Sequence, residues 1–217
     1  MSNILLYVSN IFILLSFIIY FIMIIINRGN KVTNSNGFDI TKDIISEYNS
    51  INIIESKGYF TFYNIKRKVI KLDTKTYYGN DLSSIVIALI SAGISIVHNS
   101  KNKYIEFFRK IFSNIKILYI FPLIAILINY STYNISDAKV SIIFLIFFSI
   151  ISYILINIKN QAFMWTIDNI NKIKDISKSN SDKIVKFIDK IIWLDKFIFF
   201  GELIMIIRYV LILLEIN

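Results

Sequence analysis

The chain contains no cysteine, a single histidine (His98), one proline and six glycines among its 217 residues. Without cysteine it has no disulfide, no thiolate nucleophile, no cysteine-ligated zinc and no iron–sulfur cluster. One histidine removes most metal sites that depend on imidazole ligands. The scarcity of glycine and proline excludes collagen-like and low-complexity classes. Charged residues are also few, at 18% against about 25% in average soluble domains.

Apolar residues are what the chain has in abundance. They make up 55% of it, and the mean hydropathy is +0.60. Isoleucine, asparagine and lysine are all frequent, as in proteins encoded by AT-rich genomes. At 25.4 kDa the chain has room for one domain or a handful of membrane helices. The composition therefore predicts an integral membrane protein that is in contact with the lipid bilayer.

Four charge-poor segments predict about four transmembrane helices. Ile4 to Ile26 has 23 residues without a charge and reaches about 35 Å, more than the bilayer core of about 30 Å. It lacks the basic start and cleavage site of a signal peptide, so we expect residues 1–27 to be a retained anchor. Residues 117–158 read as a hairpin of two spans (117–130 and 140–158), and residues 197–217 hold the last one.

The distribution of Lys and Arg orients these spans. Residues 28–116 carry 14 of them and residues 159–196 carry eight, whereas the loop 131–139 carries only Lys139. The positive-inside rule then places both basic segments in the cytoplasm and both termini outside. The net charge of +9 thus reflects topology, and no basic stripe interleaved with aromatics supports nucleic-acid binding.

Within 28–116 the residue pattern predicts a small α+β cytoplasmic part. A short amphipathic helix from Asp39 to Tyr48 precedes three strand-like runs, and Asp81 or Ser83 can cap the helix at residues 83–98. That helix is apolar all round but too short for a typical span, which favours a buried core helix. The run 101–116 predicts a basic amphipathic helix, lying either at the inner leaflet or against its neighbours.

The second cytoplasmic segment, 159–196, predicts two amphipathic helices separated by a serine-rich stretch, 177–181. Four aspartates recur in it every seven residues, a spacing that places them on a shared polar face. We interpret them as solvated charges among lysines rather than as metal ligands. They are Asp168, Asp175, Asp182 and Asp189.

The order of these pieces, together with several short motifs, resembles a known family. The motifs are Gly37 with the helix after it, Gly58 to Tyr63 (GYFTFY), Val69 to Leu72 (VIKL), Tyr77 to Gly79 (YYG), and the helix 83–98. The chain resembles the YugP-like neutral zinc metallopeptidases of bacterial membranes. The resemblance implies an N-terminal anchor, a small α/β part, a metal-binding helix, a hydrophobic hairpin and a last membrane helix.

The same resemblance implies that the zinc site has been lost. The family's helix bears His-Glu-Val-Gly-His, in which two His one turn apart hold zinc and the Glu acts as general base. Aligned on Gly93, this chain reads Ile90-Ser91-Ala92-Gly93-Ile94. The family's third ligand, a glutamate, would fall near Asn157 or Ile158, neither of them a carboxylate. We therefore expect no catalytic residue, no metal and no cofactor.

The residues themselves lead to the same expectation. A catalytic zinc needs about three protein ligands and an open position for water, which one His cannot supply. His98 lies near a helix end, where it interacts well with the helix dipole, and we read it as structural or solvated. Serine catalysis needs a base beside the nucleophile, and no arrangement of the nearby serines with His98 or a lysine meets that need.

Glu202 and Arg208 are charged residues inside the last apolar segment. Charges within a membrane are costly and mark functional candidates that face the helix bundle. Six residues apart, they are not ideal helical neighbours, so a partner on another helix is one option and mutual pairing another. We treat them as a candidate intramembrane polar pair.

These observations lead to one principal hypothesis and two alternatives. The principal one is an inactive, metallopeptidase-like scaffold in the bacterial plasma membrane that binds another membrane protein or a hydrophobic peptide segment. The first alternative is an unrelated small polytopic module, such as an immunity-like protein or a transporter accessory. The second is an active peptidase with unrecognised ligands.

Overall fold

The described part of the chain covers most of the elements that the sequence predicts. The computed structural model describes residues 2–46, 50–58, 61–64, 67–99, 124, 135–173 and 175–214. The basic helix predicted at 101–116 lies outside these residues, as does the span predicted at 117–130 apart from Ile124. The described residues are mostly helical, with one small sheet.

Six α-helices and three β-strands follow one another along these residues, and a short 3₁₀ turn at Ile170–Lys172 precedes the last helix. In chain order they are α1 Ser2–Ile26, α2 Gly37–Ile45, β1 Asn52–Ser56, β2 Phe62–Asn64, β3 Val69–Asp73, α3 Thr74–Tyr78, α4 Leu82–Asn99, α5 Ile135–Asn169 and α6 Lys178–Leu214.

Within the described residues, four helices are long and apolar enough to cross a membrane: α1, α4, and parts of α5 and α6. This confirms an integral membrane protein in outline. α1 and parts of α5 and α6 correspond to three of the predicted spans, and the fourth, 117–130, lies outside the described residues apart from Ile124. The remaining helix, α4, was predicted as a core helix and qualifies by length and composition. Unlike the other three, α4 has most of its surface buried by protein.

α5 and α6 are longer than the segments predicted from hydropathy. α5 has 35 residues and continues the span predicted at 140–158 as far as Asn169, into the start of the first predicted amphipathic helix. The rest of that predicted helix begins with the 3₁₀ turn and does not continue α5. α6 joins the second predicted amphipathic helix to the last span in one helix of 37 residues. Neither helix contains a proline, and Gly201 is their only glycine. With no helix breaker at the point where polarity changes, the backbone continues through it.

The chain divides into two compact units. The helical unit comprises residues 1–21, 117–157 and 191–217, and the mixed unit comprises residues 22–116 and 158–190. The mixed unit holds the sheet, whose strand order is β1-β3-β2. β1 pairs with β3 in parallel, with Ile53 opposite Ile70, and β2 pairs with β3 antiparallel, with Tyr63 opposite Ile70. The three strand-like runs, predicted at 51–54, 59–63 and 68–72, are therefore present as strands whose ends differ by one to three residues.

The hydrophobic core of the mixed unit lies between this sheet and α4. It joins sheet residues to helix residues, namely Ile45, Ile51, Tyr63, Ile70, Leu72, Ala92, Ile94 and Ala162. Capping by side chains sets the helix ends. Asn36 Oδ1 accepts from the backbone N–H of Asp39, and Asp81 Oδ1 accepts from that of Ser84, as predicted for the start of α4.

Polar contacts in the mixed unit hold the start of α6 against the loop after α1. The side chains of Thr33 and Ser35 donate to the backbone and side-chain oxygens of Asp175, and Asn180 Nδ2 donates to the carbonyl of Val32 at 2.6 Å. Ser177 Oγ accepts from the backbone N–H of Asn180 at 3.4 Å and so caps the first turn of α6.

The described helices of the helical unit expose an apolar surface and bury polar residues beside a small apolar core. α1, α5 and α6 expose large apolar side chains, such as Ile11, Phe144 and Phe200. Their buried positions include a set of polar residues: Ser9, Asn10, Ser16, Ser141, Ser149, Ser152, Glu202 and Arg208. A water-soluble bundle has the opposite arrangement, whereas lipid tails solvate an apolar exterior.

Candidate functional site

The positions that align with the zinc motif lie in the buried half of α4. Ile94 belongs to the core cluster beside the sheet, and Ile90 packs against that cluster. Being four residues apart, they share one face of the helix. This face is apolar, so it offers no ligand atom where the motif would hold a metal.

Gly93 marks a close approach between α4 and the end of α5. A Cβ atom at Gly93 would lie 2.7 Å from the carbonyl oxygen of Ala162 and 2.7 Å from Oγ1 of Thr166. Thr166 Oγ1 donates to the carbonyls of Ala162 at 2.9 Å and Leu89 at 3.4 Å, and so links the two helices. Gly93 therefore has a packing role in this chain, because any side chain there would force the helices apart.

His98 lies in the core of the mixed unit. Its side chain is 5% exposed, and its ring centroid is 6.2 Å from that of Tyr63. The neighbouring Asn99 donates to Tyr63 Oη at 3.2 Å and to the carbonyl of Ser95 at 2.9 Å. The imidazole thus sits among packed groups at the end of α4, as a structural histidine does.

The serines of α4 donate to carbonyl or carboxylate oxygens rather than to a base. Ser91 Oγ donates to the carbonyl of Ile87, and Ser95 Oγ to that of Ala92. Ser83 Oγ donates to the carbonyl of Ile24, and Ser84 Oγ to Asp81 Oδ2. Nucleophilic catalysis requires the hydroxyl to face a base, and none of these four hydroxyl groups donates to an imidazole or an amine.

The seven-residue series of aspartates forms no metal site within the described ranges. The side chains of Asp168, Asp175, Asp182 and Asp189 are all exposed. Asp175 receives the Ser35 hydroxyl, which gives it a structural contact. Among the residues placed by the structure, no group of three His, Cys, Asp or Glu could hold a metal ion.

Glu202 is the most unusual ionisable group in the helical unit. Its side chain is only 1% exposed, and its Oε1 accepts a hydrogen bond of 3.1 Å from Ser152 Oγ on α5. Its Oε2 has no hydrogen-bond partner among the residues that the structure describes. A buried carboxyl group with one donor is costly in an apolar setting, which marks Glu202 as a functional candidate.

Arg208 contacts a different neighbour from Glu202. It is 7% exposed, and its guanidinium carbon lies 5.1 Å from the centroid of the Tyr209 ring, within the range of a cation–π contact. No hydrogen bond joins it to Glu202 within the described ranges. Of the candidate polar pair, therefore, the structure buries both members and brings Glu202 to Ser152 on another helix.

Gly201 lets the helix bearing this site approach α1. A Cβ atom at Gly201 would lie 2.7 Å from Cγ1 of Ile13 and 3.0 Å from the carbonyl oxygen of Ser9. Small residues at such crossings are common in membrane bundles, because they allow backbones to come close. Glu202, the next residue, therefore lies where α6 and α1 pack closely together.

Sequence reasoning did not find Ser152, Tyr209 and Gly201 as neighbours of the candidate pair. The available signal was their rarity within charge-free runs, since Gly201 is the only glycine of α6 and Ser152 is one of few hydroxyl side chains in its span. Which of several serines would face Glu202 depends on helix rotation and register, which hydropathy does not report.

The two sites differ in what they can do chemically. The apolar face of α4 can only pack, whereas the Glu202 carboxyl group can exchange a hydrogen-bond partner or a proton.

No family model matches this chain, and no curated protein or solved structure does either.

Proposed function

We propose that this protein is a non-catalytic membrane protein that keeps the framework of a metallopeptidase and uses it to bind another membrane protein or a hydrophobic peptide segment. The observation that carries the proposal is the occupation of both aligned ligand positions by isoleucine. Ile90 and Ile94 contribute to a packed core, so this helix face serves stability in place of chemistry.

The arrangement of the mixed unit supports the retained framework. A helix from Gly37, a three-stranded sheet and α4 follow one another in the order that the resemblance implies. Gly93, the anchor of the alignment, is also the residue that lets α4 pack on α5. A helix that packs closely but offers no ligand atom fits a binding role better than a catalytic one.

We also propose an orientation for the chain in the bacterial plasma membrane. The mixed unit lies in the cytoplasm and both termini lie outside, because 22 of the 24 Lys and Arg residues fall in 28–116 and 159–196.

The orientation can be tested by labelling single cysteines, because the chain itself contains none. Lys57→Cys, in an exposed turn, should react with an impermeant maleimide only after permeabilisation, whereas Asn3→Cys should react in intact cells. The reverse labelling would refute the orientation.

A second candidate function is a small polytopic module such as an immunity-like protein or a transporter accessory. The buried Glu202 and Arg208 favour it, since ionisable groups inside a membrane bundle often mark a functional site. Under this alternative the helical unit carries the activity, and substitutions at Glu202 would abolish function while core-preserving changes at Ile90 would not.

Proteolysis assays test the main proposal. The full-length protein, purified in detergent, is incubated with an unfolded protein substrate, with and without a metal chelator. We expect no chelator-sensitive cleavage. Cleavage that disappears with chelator and returns with added zinc would overturn the proposal. A mock preparation from cells that lack the protein serves as the control, because a contaminating peptidase would cleave the substrate in both preparations.

A further inference from the structure

The exposed surface of α6 contains a continuous stripe of large apolar side chains. Its members recur every three or four residues, so they follow one face of the helix: Trp193, Phe197, Phe200, Leu203, Ile207, Val210 and Leu214. The stretch from Trp193 to Leu214 rises about 32 Å, close to the thickness of a bilayer core of about 30 Å. The stripe is thus long enough to face lipid across a whole bilayer.

Polarity changes abruptly at the first member of this stripe. Residues 178–196 contain eight charged residues, whereas 197–214 contain only Glu202 and Arg208, both buried. Beyond Lys196, therefore, α6 presents no charged side chain on its exposed surface. Such a step is expected where a helix passes from the headgroup layer into the hydrocarbon.

Trp193 and Lys196 form a contact at this step. The Lys196 ammonium nitrogen lies 4.9 Å from the centroid of the Trp193 ring, and the Trp193 side chain is 60% exposed. The ammonium group therefore points back along α6, away from the apolar half, as a lysine does when it reaches for the interface. Phe197 extends the aromatic group, with its ring centroid 6.2 Å from that of Trp193 and 5.9 Å from that of Phe12 on α1.

We propose that Trp193 and Lys196 form a binding site for the headgroup of an anionic phospholipid and set the depth of α6 in the bilayer. The indole ring, with an apolar body and a polar N–H group, suits the boundary between headgroups and acyl chains. The ammonium group above it supplies the positive charge for a lipid phosphate.

Charge favours an anionic lipid over a zwitterionic one. In the described part of the chain, no carboxylate forms an ion pair with Lys196, whose one described contact is the Trp193 ring. The two basic segments of the chain together carry 22 Lys and Arg against 12 Asp and Glu. An anionic headgroup thus meets an uncompensated positive charge.

The depth of Trp193 tests the first half of the proposal. A Trp165→Phe variant leaves Trp193 as the only tryptophan and is reconstituted into phosphatidylcholine vesicles with bromine either near the ester end or near the methyl end of the acyl chains. We expect the shallow bromines to quench Trp193 fluorescence more than the deep ones. Stronger quenching by the deep bromines, or quenching by neither, would overturn it.

Lipid preference tests the second half. The same single-tryptophan chain is titrated with brominated phosphatidylglycerol in competition with phosphatidylcholine. Lys196→Gln should lower the preference for phosphatidylglycerol about fivefold. The matched control is Lys183→Gln, which removes an exposed lysine 13 residues earlier on α6 and should leave the preference unchanged. An unchanged preference in Lys196→Gln, or an equal loss in both variants, would refute the headgroup site.

Discussion

Ser152 Oγ and Glu202 Oε1 are 3.1 Å apart, and their hydrogen bond links α5 to α6 inside the helical unit. The carboxyl group of Glu202 is almost wholly buried, and among the described residues Ser152 is its hydrogen-bond donor. An apolar residue at either position would satisfy hydropathy equally well. The pair therefore contributes pairing specificity between two otherwise apolar helices.

Replacing Ser152 with alanine should destabilise the helical unit. The carboxyl group of Glu202 would lose its donor while staying buried, at a cost of about 1 kcal/mol for a hydrogen bond between membrane helices. Unfolding by increasing fractions of denaturing detergent, followed by circular dichroism, measures the change. Ser149→Ala is the control, since Ser149 is also buried on α5 but makes no described contact with Glu202. Equal stability of Ser152→Ala and wild type would show that the bond is dispensable.

Gly93→Ala should destabilise the mixed unit even though alanine is the better helix former. The new methyl group would lie 2.7 Å from the Ala162 carbonyl oxygen, and overpacking of this kind costs about 1–3 kcal/mol. We expect a lower thermal midpoint in detergent. Gly58→Ala, in an exposed turn whose nearest neighbour would lie 3.4 Å away, should leave the midpoint unchanged. A Gly93→Ala protein as stable as wild type would contradict the close helix crossing.

The sequence was sufficient to predict most elements of the fold. Charge-free runs located α1 and the spans within α5 and α6, strand-like runs located the three strands, and Asp81 was one of the two predicted caps of α4. The parallel pairing of β1 with β3 could not be predicted from the sequence. The same residues would form strands whether neighbouring strands were joined by a hairpin or by a crossover, so the pattern does not report the strand order. The lengths of α5 and α6 were underestimated because hydropathy changes within each helix while the backbone does not.

The candidate sites were less predictable than the fold. Gly93 stood out in the sequence through the alignment, but its tight contact with Ala162 and Thr166 depends on residues about 70 positions away. Likewise, Glu202 stood out as a charge in an apolar run, whereas its partner Ser152 did not. An unusual residue can be recognised in a sequence, but which residue it contacts depends on how the helices are rotated and aligned in the fold.

The contact between Tyr78 and Glu55 predicts that the stability of the mixed unit depends on pH in the alkaline range. Tyr78 Oη donates to Glu55 Oε2 at 3.1 Å, and this hydrogen bond to the carboxylate raises the pKa of Tyr78 above its ordinary value of 10.0. Because the neutral phenol is the form that donates, its contribution to stability is present below pH 10 and is lost as the pH rises through the raised pKa.

The measurement compares the stability of wild type and Tyr78→Phe as a function of pH. The difference between them should be constant up to about pH 10 and then shrink. In a Glu55→Gln variant the pKa of Tyr78, followed by its NMR shift, should fall. A pKa that stays the same after removal of the Glu55 charge would show that the hydrogen bond does not control the ionisation.

The zinc content of the purified protein shows whether the chain holds a metal site. Elemental analysis of the full-length chain in detergent, freed of loosely bound metal by gel filtration, gives zinc per chain. We expect the wild type to be essentially free of metal. We also expect an Ile90→His, Ser91→Glu, Ile94→His variant to take up more zinc than a Lys186→His, Lys190→His control on the exposed face of α6. Stoichiometric zinc in the wild type would contradict the loss of the metal site and make the protein a candidate enzyme again.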